Sequence, residues 1–118
     1  MAITAVALTQ GGSDWAVNAT SADASGTEEL KAAPSAGALY LKKIIISCVD
    51  AITVTIGAGE TTGAVTTVLV GPVNFAATSG SPFVCEFTNP IKLPDTTALV
   101  IDATDAGAVN VIAEGFTR

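Results

Sequence analysis

The chain has 118 residues and 11.7 kDa, the size of one domain, and its 49% apolar and 14% charged content excludes a disordered polypeptide. It contains no His, which excludes a His-dependent catalytic triad and any metal site built on imidazole. Five cations (Lys31, Lys42, Lys43, Lys92 and Arg118) are scattered among eleven acids, for a net charge of −6; this argues against binding to nucleic acid or an anionic membrane surface.

The dominant hydrophobic period is two. Strands are predicted near residues 2–9, 14–20, 27–33, 38–49, 51–57, 65–71, 83–88, 97–104 and 108–116. Gly11-Gly12-Ser13-Asp14 separates the first two. Over 28–33 a helix competes, because Ser25-Gly-Thr-Glu28 has capping-box spacing. Leu30 is the one large apolar residue there, so such a helix would bury little, and a strand is preferred. Pro34-Ser-Ala-Gly37 forms the next turn.

The fourth strand is apolar on both faces in its middle: Ile44, Ile46 and Cys48 share one face, and Ile45, Ser47 and Val49 share the other. A strand wet on one side does not need Ile on both, so a second layer or another subunit is expected over the outer face. Ile52-Thr-Val54-Thr-Ile56 alternates strictly and is followed by Gly57-Ala-Gly59-Glu-Thr-Thr-Gly63, read as a hairpin loop. Phe83-Val-Cys85-Glu-Phe87 places two rings and a thiol on one face. Leu99-Val-Ile101-Asp-Ala103 and Val109-Asn-Val111-Ile-Ala113 repeat the scheme.

Nine short strands leave no room for helical crossovers of a dozen residues, so the sheets are mostly antiparallel. The expected architecture is an all-β antiparallel sandwich of about eight or nine strands. Residues 1–118 read as a single β-sandwich domain, with 1–27 as an arm or peripheral strands. The longest apolar runs, such as Ile44-Ile45-Ile46, fall far short of the ~20 residues of a membrane-spanning helix. Met1-Ala-Ile-Thr-Ala-Val lacks the charged start of a secretory signal, so the expectation is either a chain that starts life in the cytoplasm or one from which a processed segment has been removed.

Motifs with chemical potential are few. The Gly57–Gly63 spacing resembles a phosphate loop but lacks Gly-Lys-Ser/Thr and a following helix. Asp102 and Asp105 flank a turn with Asp95 nearby, yet they match no calcium-loop spacing and read as solvated turn acids. Cys48 and Cys85 allow one disulfide, but each sits in an apolar strand pattern and the preferred reading is two buried, reduced thiols. A Cys nucleophile would lack its usual His base. Asn18-Ala-Thr20 is a glycosylation sequon without a signal peptide to support it. No cofactor is implied.

Glu29-Leu-Lys-Ala-Ala-Pro-Ser-Ala-Gly37, running into Leu39-Tyr-Leu-Lys-Lys-Ile-Ile-Ile-Ser47, resembles a pattern of small tailed-phage virion proteins. Gly71-Pro-Val-Asn-Phe75, Phe87-Thr-Asn-Pro-Ile-Lys-Leu-Pro94, Thr97-Ala-Leu-Val-Ile101 and Val109-Asn-Val-Ile-Ala-Glu-Gly115-Phe116 extend the resemblance over about residues 28–118. It implies a jelly roll, a homotrimer on the capsid surface of the virion, the major capsid protein as partner, and no catalytic residues. Ile45, Val49 and Tyr40 are the expected subunit-interface residues. The alternative is a tail or fibre module recognising a host carbohydrate through an exposed Trp15 or Tyr40.

Overall fold

The computed structural model describes residues 3–8, 14–21, 26–59, 65–76, 82–104 and 108–118. Nine strands occupy the predicted places: β1 (Thr4–Leu8), β2 (Asp14–Ser21), β3 (Gly26–Lys31), β4 (Leu39–Cys48), β5 (Thr53–Gly59), β6 (Val65–Asn74), β7 (Phe83–Lys92), β8 (Ala98–Ala103) and β9 (Val109–Thr117). All pairings are antiparallel.

A five-stranded sheet has the order β1-β2-β9-β4-β7, and a four-stranded sheet has the order β3-β8-β5-β6. Most connections cross between the sheets; only β1–β2 and β5–β6 are neighbours both in sequence and in a sheet. β2 lies beside β9 in one sheet while β3 lies beside β8 in the other, the rolled-ribbon order of a jelly roll with β1 added outside β2. Within residues 1–27, β1 is therefore an edge strand, whereas β2 is interior and gives Trp15, Val17 and Ala19 to the core.

The core lies between the inner faces. Leu39, Leu41, Ile44 and Ile46 of β4, Val54 and Ile56 of β5, Leu99 of β8 and Ala113 of β9 have no exposure at all. Each large aliphatic so placed contributes about 1.5–3 kcal/mol relative to exposure. No helix forms over 28–33: β3 runs through Lys31 and Ala32 and Ala33 follow it outside regular structure, while Leu30 is an unpaired bulge residue between Glu29 and Lys31 that turns inward to 2% exposure.

Four local features depart from the sequence-based reading. β6 continues through Pro72 and β7 through Pro90, because both are edge strands, where a missing N–H costs no ladder bond. Gly57 and Gly59 are buried strand residues of β5 rather than loop residues; Gly63 lies outside the described residues. A Cβ on Gly57 would run into the Thr67 carbonyl and the Val65 side chain, so the glycine admits β6 at close range. Lys42 forms a bulge in β4 between the pairs Leu41–Gly115 and Lys43–Glu114. β8 is buried on both faces from Ala98 to Ile101, where one wet face was expected.

The chain end is tied into the same fabric. Ala38 N–H donates to the Arg118 carbonyl at 2.9 Å and Arg118 N–H donates to the Ala38 carbonyl at 3.0 Å. Gly37 has φ +78°, and a Cβ there would lie 2.7 Å from the Arg118 oxygen.

Gly115 of β9 lies under the Trp15 ring, and a Cβ there would collide with the Tyr40 carbonyl and approach Trp15 Cζ2 to 2.5 Å. Gly115→Ala is expected to lose about 1–3 kcal/mol or more, as overpacking of a tight core does. Urea titration checks this, with a lowered midpoint at unchanged slope as the expected result.

Candidate interaction surface

The outer face of the five-stranded sheet is assembled by register. Cross-strand partners share a face, so the pairings define rows running across the sheet. One row is Val84 (β7), Ile45 (β4), Ile112 (β9), Asn18 (β2) and Val6 (β1). The next, on one side, is Glu86, Lys43, Glu114, Ala16 and Leu8; beyond it come Lys92, Tyr40, Phe116 and Asp14. On the other side lie Ser47, Asn110, Thr20 and Thr4.

Three aliphatic side chains thus stand side by side on β7, β4 and β9, spanning about 10 Å at the usual strand spacing. Val84 is 54% exposed, and Ile45 and Ile112 are partly exposed. Ile44, Ile46 and Cys48, on the opposite face of β4, are buried.

Tyr40 is brought to this same face by the Lys42 bulge. Strict alternation puts residues 40 and 45 on opposite faces; the extra residue reverses the parity between them. The Tyr40 ring stacks on Phe116, with centroids 4.7 Å apart and planes 12° from parallel. The Arg118 guanidinium lies 4.8 Å from the centroid of Phe116. Beside them Lys92 Nζ donates to Asp95 Oδ1 at 3.0 Å, and this bond with its attendant attraction raises the Lys92 pKa. Both groups are exposed, so the pair adds little to stability. Val49 is 51% exposed but lies just past β4, whose last rung is Cys48–Val109, so it borders the polar end of the face.

Between the aromatic and aliphatic rows the charges alternate along Glu86, Lys43 and Glu114, an arrangement that favours each neighbour. A cleft of about 410 Å³ opens here, lined by Lys42, Lys43, Glu86, Phe87, Thr88 and Glu114.

The remaining sequence candidates are not gathered into a site. Trp15 is 6% exposed and belongs to the core, so it offers no platform to a sugar; Phe116 occupies one face of Tyr40. Asp102 is in β8 and Asp95 in the turn after β7; Asp105 lies outside the described residues. Among the described residues no three His, Cys, Asp or Glu side chains are grouped to hold a metal ion. Cys48 and Cys85 are thiols, one buried and one half-buried. Cys85 pairs with Ile44, four residues along β4 from Cys48, which separates them by about 13 Å, beyond disulfide reach.

Sequence reasoning named Ile45 and Tyr40 but missed Val84, Ile112 and Phe116. A signal for the first two was present: each is a large aliphatic at a position that alternation assigns to the wet face. Comparison with protein-family models, curated proteins and solved structures finds no significant match.

The two faces of β4 are separable by mutation. Ile44→Ala is expected to cost about 2–5 kcal/mol through the cavity it leaves. Ile45→Ala is expected to cost less, about 1 kcal/mol, because Ile45 is only partly buried and leaves no enclosed cavity. Chemical denaturation of the two variants checks the contrast.

Proposed function

We propose that this chain is a non-enzymatic virion structural protein, a capsid decoration protein that binds the major capsid protein on the outer surface of the head and self-associates as a homotrimer. The observation that carries this reading is the uncovered aliphatic row Val84–Ile45–Ile112 on the outer face of the five-stranded sheet. Aliphatic side chains aligned on three adjacent strands, Val84 exposed and Ile45 and Ile112 partly so, fit a surface that a partner covers. The adjoining Tyr40–Phe116 stack supplies rigid aromatic area of the kind that dominates interface energetics. The alternating charges of Glu86, Lys43 and Glu114 supply register rather than affinity.

The resemblance of residues 28–118 to small tailed-phage virion proteins supplies the virion setting of the proposal. A repeated lattice multiplies weak contacts, so one modest patch per chain suffices for tight decoration. On this reading the protein is made in the host cytoplasm and joins the particle by surface complementarity, without cofactor or catalysis.

Light scattering at micromolar concentration is expected to give the mass of three chains, and Ile45→Lys the mass of one, with an unchanged β-sheet circular-dichroism spectrum and a thermal midpoint that no longer rises with concentration. Val84→Lys is expected to act in the same direction. Co-sedimentation with undecorated capsids is expected for the parent chain and to fall at least tenfold for Ile45→Lys. A monomeric parent chain would overturn the trimer, and capsid binding unaffected by both lysines would overturn the assigned surface.

A further inference from the structure

The two sheets have four edges, and three are obstructed. At β7, residues 87–90 bulge out opposite Lys42, and Pro90 lacks an N–H. β6 shifts register at three places along β5 and carries Pro72. β3 is bulged at Leu30 and charged at Glu28, Glu29 and Lys31. Bulges, prolines and charges are the devices that keep strand edges from pairing.

β1 has none of them. Thr4, Ala5, Val6, Ala7 and Leu8 pair with β2 over five consecutive rungs without a register shift. All five residues are exposed, none is charged, and none is Gly or Pro. Ile3 N–H donates to Glu28 Oε1 at 2.5 Å, which ties the start of the strand to the other sheet. Between β1 and β3 lies an open groove of about 410 Å³, whose apolar lining includes Ile3, Ala5, Ala7, Val17 and Leu30. Among the described residues, β1 thus has no strand on its outer edge and an open groove along its inner face.

We infer that β1 is a pairing edge for a second copy of this chain. A strand edge is satisfied by another open strand edge, and among the described residues the unobstructed edge is β1 itself. The contact is therefore isologous and closes as a two-fold dimer, where docking on an obstructed edge would be heterologous. Antiparallel pairing with all five rungs engaged sets Val6 against Val6 of the second copy, Ala5 against Ala7 and Thr4 against Leu8. The two five-stranded sheets become one of ten strands. The seam is uncharged, so the net charge of −6 on each copy is not concentrated there. Five rungs bury much less than the ~800 Å² per partner of a stable complex. The dimer is therefore weak in solution and forms where copies are already concentrated. It lies at the edge of the sheet opposite β7 and does not depend on the face-mediated trimer.

Val6→Cys tests the register directly, since facing residues of an antiparallel pair have Cα atoms about 4.5–5.5 Å apart, within disulfide range. Under mild oxidation at high protein concentration, Val6→Cys is expected to give a reducible covalent dimer well above the level of the parent chain. Thr4→Cys alone is expected to give little, and a mixture of Thr4→Cys and Leu8→Cys chains to give the mixed dimer. Val6→Lys is expected to lower the concentration-dependent protection of β1 amides from hydrogen exchange, with the rest of the protein unchanged. No Val6→Cys dimer, equal linking by Thr4→Cys alone, or linking of Val6→Cys only to the capsid protein on particles would each overturn the inference. A trimeric mass without β1 cross-links would sink this contact alone; cross-linked dimers of an otherwise monomeric chain would sink the trimer alone.

Discussion

Lys42 has no partner of its own in β9, and the consequences of that one inserted residue run through the whole five-stranded sheet. Before it, Leu39 and Leu41 face inward; after it, Ile44, Ile46 and Cys48 do. Without the insertion one of these two sets would stand in water. Each Leu or Ile left exposed forfeits about 1.5–3 kcal/mol. A lost backbone rung costs on the order of 1 kcal/mol when water can satisfy it. The bulge is therefore favoured by several kcal/mol, and it is β4, second from the sheet edge and rich in aliphatics, that requires it. The same parity change carries Tyr40 to the outer face with Ile45, so one constraint on the core also assembles the exposed surface.

Much of this fold is legible in the sequence, because period-two alternation reports a wet face and a dry one. All nine strands fall where alternation and breakers place them, and the shortage of residues between strands dictates antiparallel sheets. What is not legible is set by tertiary position. Pro72 and Pro90 read locally as strand ends; they are tolerated only because β6 and β7 lie at edges, and edge status is a property of the assembled sheet. Gly57 reads as a loop residue because glycine weakens an isolated strand, yet here the missing side chain makes room for the Thr67 carbonyl. Nothing in the composition around Lys42 marks a bulge. Ile45 was visible because isoleucines on both faces of one strand contradict a wet exterior. Phe116 gave no such sign, since its role arises from stacking on a residue 76 positions away across the β4–β9 ladder.

The outer surface divides its labour by row. The aliphatic row offers area that gains from removal of water. The charged row between it and the aromatic stack cannot add much affinity while solvent reaches it, but mismatched charges on a partner would be strongly disfavoured. On the proposed reading, the apolar side chains that would drive association and the charges that would fix its register lie within two rungs of one another. The chain tolerates this exposure because the apolar strip is narrow and the net charge of −6 opposes indiscriminate association.

Stability in this domain comes from close packing, with Cys48 and Cys85 too far apart to cross-link. Ala19, Ala58, Ala103 and Ala113 alternate with Leu, Ile and Val on the inner faces, where small side chains let the larger ones interdigitate. Every large aliphatic the core needs is accounted for there. Those on the outer face are in excess of that need. Thr fits an exposed strand position as well as Val or Ile does, and the chain uses Thr at such positions on β6, at Thr66 and Thr67. At the exposed position 84 folding alone would be served about as well by threonine, and at the partly exposed positions 45 and 112 with only a modest loss. An aliphatic triplet aligned across three adjacent strands is more apolar area than the wet face of a sheet requires, and that excess is the physical feature on which the proposed contact surface rests.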